Sequence, residues 1–328
     1  MSTQVIHGYL AVCVCVVGVV CSCINMAVLT RPSMRSPLGL ILTAVALTDL
    51  LECAMYGVLA LYVYILNIEH ELTDCYTPST ARVIQVAQIL LKTCHSTNLW
   101  MTVSLAIIRF IFIFRRKLGT NSFSKRQARY TLVAVCVATI LCCIPFSFRT
   151  DVVERQNITC GRACYIIEFS DFAQKHEAFR DFLFVFNAVF LRMLPCLLLA
   201  IFSVLLIVHV KRTDRQRASL MSGRHQTNIN VKHHRTTTML AAVIVCTFIT
   251  EIPHSILTFL NVIDDTYLFI YIQFGEVLDI MSLISSVLNF TIYCTMSKKF
   301  RDIFKKIMCC PTGTFSPRSS VNTHSTTL

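Results

Sequence analysis

The sequence predicts an all-α membrane protein, a seven-transmembrane helix bundle with an extracellular N-terminus and an amphipathic surface helix after the last span. Three observations carry this prediction: a composition that is 55% hydrophobic and 15% charged, seven long apolar runs, and one-sided placement of basic residues. A bilayer needs about 20 mostly apolar residues per helix. The runs lie at 8–30, 38–66, 81–114, 130–148, 181–210, 236–262 and 267–296.

Basic residues indicate the orientation of the bundle. With the N-terminus outside, the inner segments 31–37, 115–129, 211–235 and 298–328 hold 21 of the 30 Lys and Arg residues, which agrees with the positive-inside rule. The net charge of +12 therefore describes a cytoplasmic face, and we expect membrane lipid and an intracellular protein as its partners. Nucleic acid is not expected as a partner, because the charge follows the inner loops.

The segments outside the spans have distinct compositions. The predicted division is an extracellular N-terminus at 1–7, a seven-transmembrane domain at 8–296, a juxtamembrane helix at 297–310 and a disordered cytoplasmic tail at 311–328. The juxtamembrane helix alternates apolar residues with lysines at helical spacing, which is typical of a helix on a membrane surface. Cys309 and Cys310 at its end are candidate palmitoylation sites, with unmodified thiols as the alternative.

Two kinds of modification are expected on the outer side. Asn157 begins a glycosylation sequon in the long loop after the fourth span. Most of the 17 cysteines lie within spans, where cysteine acts as a small apolar residue. Only Cys75, Cys160 and Cys164 lie where oxidation is expected, and three cysteines allow one bridge with one thiol left over.

Local motifs resemble those of rhodopsin-like G-protein-coupled receptors. "AVALTDLL" places Asp49 in the second span, and "MTVSLAIIRFIFI" places Arg109 at the inner end of the third. "ITEIPHS" places Pro253 in the sixth span, and "SVLNFTIYC" places Asn289 and Tyr293 in the seventh. The departures from the usual motifs are equally informative: Ile precedes the arginine where an acid is usual, and Phe replaces the proline of the seventh span.

The departures narrow the resemblance to one branch. "CHSTNLWMTVSLAIIRF", "FLRMLPC", "TEIPHSIL" and "GEVLDIMSLISSVLNFTIYCTMSKKFR" are similar to the invertebrate myosuppressin and FMRFamide-type neuropeptide receptors, especially the nematode set. The resemblance implies a plasma-membrane receptor for an amidated peptide that activates a heterotrimeric G protein. It also implies arrestin and receptor kinases as partners of the Ser/Thr-rich tail.

The resemblance assigns roles to individual residues. Arg109, Asn289, Tyr293 and Pro253 would serve activation and G-protein coupling. Asp49 with Asn98 would form a sodium site, and no other cofactor is expected. A bridge from Cys75 to Cys160 or Cys164 would hold the second outer loop over the pocket, with a Cys160–Cys164 bridge as the rival.

Carboxylates in the seventh span are candidates for the ligand contact. A charge in the bilayer centre costs at least ~2.5–3.5 kcal/mol, so such residues should face the bundle interior. Glu276 and Asp279 are three residues apart and share one helix face. A carboxylate accepts a guanidinium bidentately, and an Arg-Phe-amide peptide presents one. We therefore predict that Asp279, with Glu276, binds the peptide arginine, with a structural role as the alternative.

Glu251 lies two residues before Pro253, where the sixth span should kink. Three interpretations are open. Glu251 could pair inside the bundle with Arg192 or His95 and so sense the ligand, it could contact the ligand directly, or it could be purely structural. His95 could likewise be an ordinary hydrogen-bonded interior histidine.

Other functional classes fit less well. No enzyme is predicted, because the chain contains neither HExxH nor GxSxG. A retinal protein would need a lysine within the seventh span, and the first lysine there is Lys298, past the membrane. The remaining alternative is a chemosensory seven-transmembrane receptor for a small molecule.

Overall fold

The computed structural model describes residues 3–65, 76–117, 124–156, 163–220, 228–264 and 266–309. Within these ranges the chain forms ten α-helices and one antiparallel hairpin. Their bounds are α1 Thr3–Leu29, α2 Pro37–Ala60, α3 Pro78–Lys117, α4 Lys125–Cys143, β1 Thr150–Gln156, β2 Ala163–Phe169, α5 Asp171–Lys175, α6 Glu177–Phe186, α7 Leu194–Leu220, α8 Asn228–Ile263, α9 Thr266–Met296 and α10 Lys298–Cys309.

Seven helical spans build the bundle. Six are long and apolar enough to cross a membrane, at Ile6–Leu29, Pro37–Ile65, Lys125–Phe148, Glu177–His209, Thr238–Ile263 and Val277–Met296. The remaining span is α3, the third along the chain, which is 40 residues long and more polar than the others. It packs against α2, α4, α7 and α8, and this packing buries the polar side chains of its middle and inner part: His95, Ser96, Thr97, Thr102 and Arg109. This explains why hydropathy alone finds six spans among the described residues.

The helix α1 begins at Thr3, so helical structure extends into the segment 1–7 that was expected to precede the first span. The ring of His7 lies 5.0 Å from that of Tyr64, in the π-helical segment Leu61–Ile65 that continues α2. The Nε2 atom of His7 lies 3.5 Å from the hydroxyl of Tyr56 in α2. These contacts hold the helix together beyond its apolar part.

Close packing of α1 depends on Gly18. A Cβ atom at this position would lie 2.5 Å from Cys53 Sγ in α2 and 2.9 Å from Ser286 Oγ in α9. The thiol and the hydroxyl are themselves 3.4 Å apart. Small residues at helix interfaces let backbones approach closely in membranes. Gly18 is therefore the point where three spans meet.

The fifth span contains a π-helical segment, Asn187–Met193, between α6 and α7. The N–H of Leu194 donates to the carbonyl of Val189, five residues back. Pro195 follows directly, and a proline ring clashes with the carbonyl four residues before it. The wider π turn relieves this clash, and it changes the direction of Arg192, which lies inside the segment.

A β-hairpin occupies the second outer loop, which the sequence analysis did not predict. β1 and β2 pair in register from Thr150↔Phe169 to Gln156↔Ala163. Tyr76, just before α3, adds a bridge to Tyr165 with backbone hydrogen bonds of 3.0 and 3.2 Å. The hairpin is thereby attached to the outer end of α3.

The inner end of the bundle is closed by α10, which lies within the predicted juxtamembrane segment. Phe300 is 1% exposed and packs in an apolar cluster with Tyr293, their ring centroids 5.6 Å apart. Arg301 donates to the carbonyl of Cys294 at 3.0 Å, and Lys299 donates to the carbonyl of Ser33. The predicted tail at 311–328 lies outside the described residues.

Candidate functional site

Polar residues from four spans meet inside the bundle. In α2 and in α3 two such residues are three positions apart, a spacing that places their side chains on one helix face. Seven of them form what we call the polar column: Asp49 and Glu52 of α2, His95 and Asn98 of α3, Glu251 of α8, and Ser282 and Asn289 of α9.

The inner part of the column is centred on Asp49, which is buried. Asn98 Nδ2 donates to Asp49 Oδ1 at 2.7 Å, and Asn289 Nδ2 donates to Asp49 Oδ2 at 3.1 Å. The same Asn98 amide nitrogen lies 3.4 Å from Glu52 Oε2. Spans two, three and seven are therefore joined at one carboxylate, with a second carboxylate one turn outward.

The outer part of the column is centred on His95. Its Nδ1 lies 2.9 Å from Glu52 Oε1, and its Nε2 lies 3.2 Å from Glu251 Oε2. The second contact is an ion pair without the alignment of a hydrogen bond. Ser282 donates to the other oxygen of Glu251. One imidazole thus connects the second and sixth spans, and a serine adds the seventh.

The position of His95 constrains its chemistry. A doubly protonated His95 would donate through Nδ1 to Glu52 and place its positive charge 3.2 Å from the Glu251 carboxylate. Removing any one of these groups would leave a buried charge without its partner.

The sequence left two partners open for Glu251, and the structure brings one of them into contact. His95 lies against Glu251, whereas Arg192 forms no ion pair with it among the side chains described. Arg192 interacts with the Glu251 carboxylate only electrostatically, from a greater distance. The π-helical segment explains this arrangement, since it alters which side of the fifth span faces the sixth.

One turn outward from the column lies a group of charged residues that we call the outer layer: Lys92, Arg192, His254 and Asp279. The side chain of Asp279 is 41% exposed, whereas that of Glu251 is 3% exposed. His254 Nδ1 lies 3.5 Å from Asp279 Oδ1. Of the two described carboxylates predicted to meet a ligand, Asp279 is therefore the accessible one.

Arg109 lies at the inner end of α3 and is 2% exposed. Its guanidinium lies 5.6 Å from the centroid of the Phe112 ring. Ile108, which replaces the acid of the usual motif, packs in the same apolar cluster as Tyr293 and Phe300. The Tyr293 hydroxyl is buried and has no hydrogen-bond partner among the described residues.

Four residues of the site were not assigned a role from sequence: Glu52, Lys92, His254 and Ser282. Each lies three positions from an assigned residue, namely Asp49, His95, Glu251 and Asp279 respectively. That spacing was the available signal, because it puts both members of a pair on one helix face.

The sodium prediction depends on whether the oxygens near Asp49 can accept an ion. Hard cations take oxygen ligands. Both Asp49 oxygens accept amide N–H groups from Asn98 and Asn289, so an ion would have to replace one of these hydrogen bonds. Glu52 supplies a second carboxylate, whose Oε2 lies 3.4 Å from the Asn98 amide nitrogen that also binds Asp49.

Several predicted positions fall outside the described residues or side chains. The side chains of Glu276 and Cys309 are among them, as are Cys75, Asn157, Cys160 and Cys310. Cys164 is buried and disulfide-bonded. Its pairing with Cys75 or Cys160 remains a prediction.

Comparisons with known proteins agree on one class of membrane protein. The profile of the family described as "Serpentine type 7TM GPCR chemoreceptor Srw" matches residues 9–311. The chain is 28% identical to the G-protein coupled receptor dmsr-1 of Caenorhabditis elegans, over 98% of this chain and 73% of that protein. It is 22% identical to the sex peptide receptor of Drosophila melanogaster, over 92% of this chain and 72% of that protein. It is 23% identical to the FMRFamide receptor of Drosophila melanogaster, over 90% of this chain and 52% of that receptor.

Proposed function

Because the chain belongs to the Srw family of serpentine seven-transmembrane G-protein-coupled receptors, we propose that it is a plasma-membrane receptor for an amidated Arg-Phe peptide. The names of relatives that align with almost all of this chain, the sex peptide receptor and the FMRFamide receptor, support a peptide ligand. The expected partner inside the cell is a heterotrimeric G protein, and the expected orientation has the N-terminus outside.

The observation that carries the proposal is the exposure of Asp279 directly above a sealed polar column. Its side chain is 41% exposed, whereas Glu251 and His95 beneath it are 3% and 10% exposed. A guanidinium entering from outside therefore meets Asp279 first. A carboxylate and a guanidinium form paired, charge-assisted hydrogen bonds, which are about twice as strong as neutral ones.

Signal transmission would use the column beneath Asp279. The column joins four spans through His95 and Asp49, and α8 contains Pro253 two residues beyond Glu251. A proline removes a backbone hydrogen bond and weakens the helix at that point. A ligand that binds the active arrangement better than the resting one shifts the population toward it, by no more than that difference in affinity.

At the inner end, Arg109 and Tyr293 are proposed to contact the G protein or to rearrange when it binds. Both are buried in the described state, so their engagement requires the inner ends of the helices to separate. The basic α10 would lie on acidic lipid, with palmitate on Cys309 and Cys310 as its anchor. Receptor kinases and arrestin would act on the Ser/Thr-rich tail.

On the outer side, a disulfide between Cys75 and Cys164 is the pairing we favour. The backbone bridge between Tyr76 and Tyr165 brings the neighbours of both cysteines to hydrogen-bond distance. Such a bond would fix the hairpin at the outer end of α3 and hold one edge of the pocket. Glycosylation is expected at Asn157.

The second candidate is a chemosensory receptor for a small molecule, which the description of the matching family favours. The chemical class of the ligand distinguishes a chemosensory receptor from a peptide receptor. A small neutral odorant would have no need of a charged outer layer around Asp279, whereas a peptide arginine would use it.

The test is a signalling assay on cells that express the full chain, with a panel of amidated Arg-Phe peptides. We expect at least one peptide to activate a G protein in the wild-type receptor. Replacing the peptide arginine by citrulline, which keeps the shape and removes the charge, should weaken that response about tenfold or more. In Asp279→Asn the arginine peptide and its citrulline analogue should activate the receptor with nearly equal potency.

Surface expression of the two receptors must be matched, since a loss of folded protein would imitate a loss of affinity. A wild-type receptor that ignores every amidated peptide and responds to small molecules would contradict the peptide proposal. Suppose that replacing arginine by citrulline reduces potency equally in Asp279→Asn and in the wild type. That result would contradict the Asp279 contact but not the peptide receptor.

A further inference from the structure

The outer layer contains a cationic side opposite Asp279. Lys92 lies in α3 one turn outward from His95, and its Nζ is 3.7 Å from the centroid of the Phe146 ring. Arg192 lies in the π-helical segment of the fifth span. Both side chains are partly buried, so neither charge is fully hydrated.

Neither cation has an anionic partner among the side chains described. The buried ion pairs of the bundle join His95 to Glu52 and Glu251, and His254 lies against Asp279; Lys92 and Arg192 take part in none of them. The Nη1 atom of Arg192 is buried without a hydrogen-bond partner. A buried charged donor left unsatisfied is costly, so native structures normally supply an acceptor.

Lys92 and Arg192 lie on neighbouring elements, because α3 contacts the π-helical segment. When both are charged, Lys92 interacts unfavourably with Arg192 and with Arg149 near the end of the fourth span. Like charges at short range in a low-dielectric interior cost free energy, and the ring of Phe146 offsets only part of that cost. An anion placed between Lys92 and Arg192 would convert the repulsion into two attractions.

The backbone contributes to this arrangement. The π-helical segment before Pro195 places Arg192 in the outer layer, close enough to interact electrostatically with Asp279 as well. Isolated π turns inside α-helices occur frequently at functional sites. The pocket is therefore bipolar, with an exposed carboxylate on the seventh span and two cations on the third and fifth.

We propose that Lys92 and Arg192 form an anion subsite that binds the carboxylate of an acidic residue in the same peptide whose arginine meets Asp279. This inference rests on the proposed function and adds a second requirement to the ligand. The ligand would carry both an arginine and an Asp or Glu residue upstream of it. A peptide with the arginine alone would leave the two cations unpaired.

The first experiment uses amidated peptides ending in Arg-Phe, with a single Asp moved through the four preceding positions and an Asn analogue of each. On the wild-type receptor we expect one Asp position to be about tenfold more potent than its Asn analogue. In Lys92→Met and in Arg192→Met that preference should largely disappear. Lys175→Met removes a charge from the exposed outer surface and should keep the preference.

The second experiment does not depend on any peptide. The detergent-purified full chain is unfolded by heat in sodium sulfate and in sodium chloride at equal ionic strength. An anion that binds only the folded state raises the unfolding temperature. Sulfate also stabilises proteins generally, so the measured quantity is the sulfate effect on wild type minus that on Lys92→Met. We expect a positive difference, with Lys175→Met resembling the wild type.

The outcomes separate the inference from the proposed function. Equal potency of every Asp and Asn pair, in a receptor that responds to them, overturns the anion subsite. If no peptide activates the receptor, the proposed function fails, and the sulfate measurement alone tests the anion subsite. A sulfate effect lost in Lys92→Met then supports the subsite, and an equal effect in both proteins overturns it.

Discussion

Glu251 and Asp279 are carboxylates on neighbouring spans, and each lies near a histidine, yet they differ in exposure and in their other partners. Glu251 is 3% exposed, faces an imidazole and accepts a serine hydroxyl, whereas Asp279 is 41% exposed and has one histidine nearby at 3.5 Å. The difference in exposure suggests different roles for two carboxylates of the same charge. We infer that the buried Glu251 stabilises the described structure and propose that the accessible Asp279 binds the ligand.

The largest expected effect is the loss of Glu251. Glu251→Ala leaves the charged His95 with a single carboxylate partner and Ser282 without its acceptor. Breaking a buried pair typically costs ~3–5 kcal/mol of unfolding free energy. Thermal unfolding of purified receptor should show the loss, and Asp279→Ala should cost less than about 1 kcal/mol. Similar losses in the two variants would remove the distinction between the two sites.

A smaller effect should separate affinity from signalling. Asp279→Asn should raise the half-maximal peptide concentration about 10- to 100-fold and leave the maximal response unchanged, since a charge-assisted bond contributes ~1.5–3 kcal/mol. Glu251→Gln should do the opposite, lowering the maximal response more than the potency. Dose–response curves at matched surface expression provide both quantities. A purely potency-based defect in Glu251→Gln would argue that this residue also meets the ligand.

Coupling between His95 and Glu251 should be measurable in a double-mutant cycle. Because the two side chains are in contact, His95→Gln and Glu251→Gln should deviate from additivity by about 1–2 kcal/mol in unfolding free energy. The control cycle combines Glu251→Gln with Arg155→Gln, because the side chain of Arg155 is 65% exposed on the hairpin and far from Glu251 in the sequence. That pair should be additive. An additive result for His95 and Glu251 would mean that the 3.2 Å contact contributes nothing to stability.

The smallest expected change in stability is Tyr293→Phe. The buried hydroxyl has no hydrogen-bond partner among the described residues, so its removal should change the unfolding free energy by less than about 1 kcal/mol. If the hydroxyl finds a partner only in the active state, agonist signalling should still fall. Unchanged signalling in Tyr293→Phe would exclude that role.

Much of the fold could be predicted from the sequence, because the length and hydropathy of the apolar runs indicate where the spans lie. The receptor class followed from motifs around Asp49, Arg109 and Asn289, and the family profile confirms it. The contact of Glu251 could not be decided between His95 and Arg192. A helical repeat of 3.6 residues predicts facing side chains, and the π turn in the fifth span breaks that repeat before Arg192.

Other features lacked a local signal. The strands of the outer hairpin include "TDVVERQ", whose charges obscure the alternation expected of a strand, and one of its pairings, Tyr76 to Tyr165, is remote in sequence. The sequence also contained no indication of which charged residues of the site are buried and which are exposed. Sequence identifies Asp279 and Glu251 as membrane carboxylates, but their exposure depends on how four helices pack.

The polarity of α3 has a consequence for how the protein is made. Insertion scales assign ~2.5–3.5 kcal/mol to a lysine or arginine at the centre of a span, and α3 carries Lys92 within the span as well as Arg109 toward its inner end, where the cost is lower. It is therefore not expected to leave the translocation channel for lipid by itself during synthesis. We expect α3 to enter the bilayer only together with its apolar neighbours α2 and α4, against which it packs. The residues that equip α3 for signalling are those that delay its membrane entry, so substitutions in α4 can abolish the receptor at the ribosome without touching a ligand.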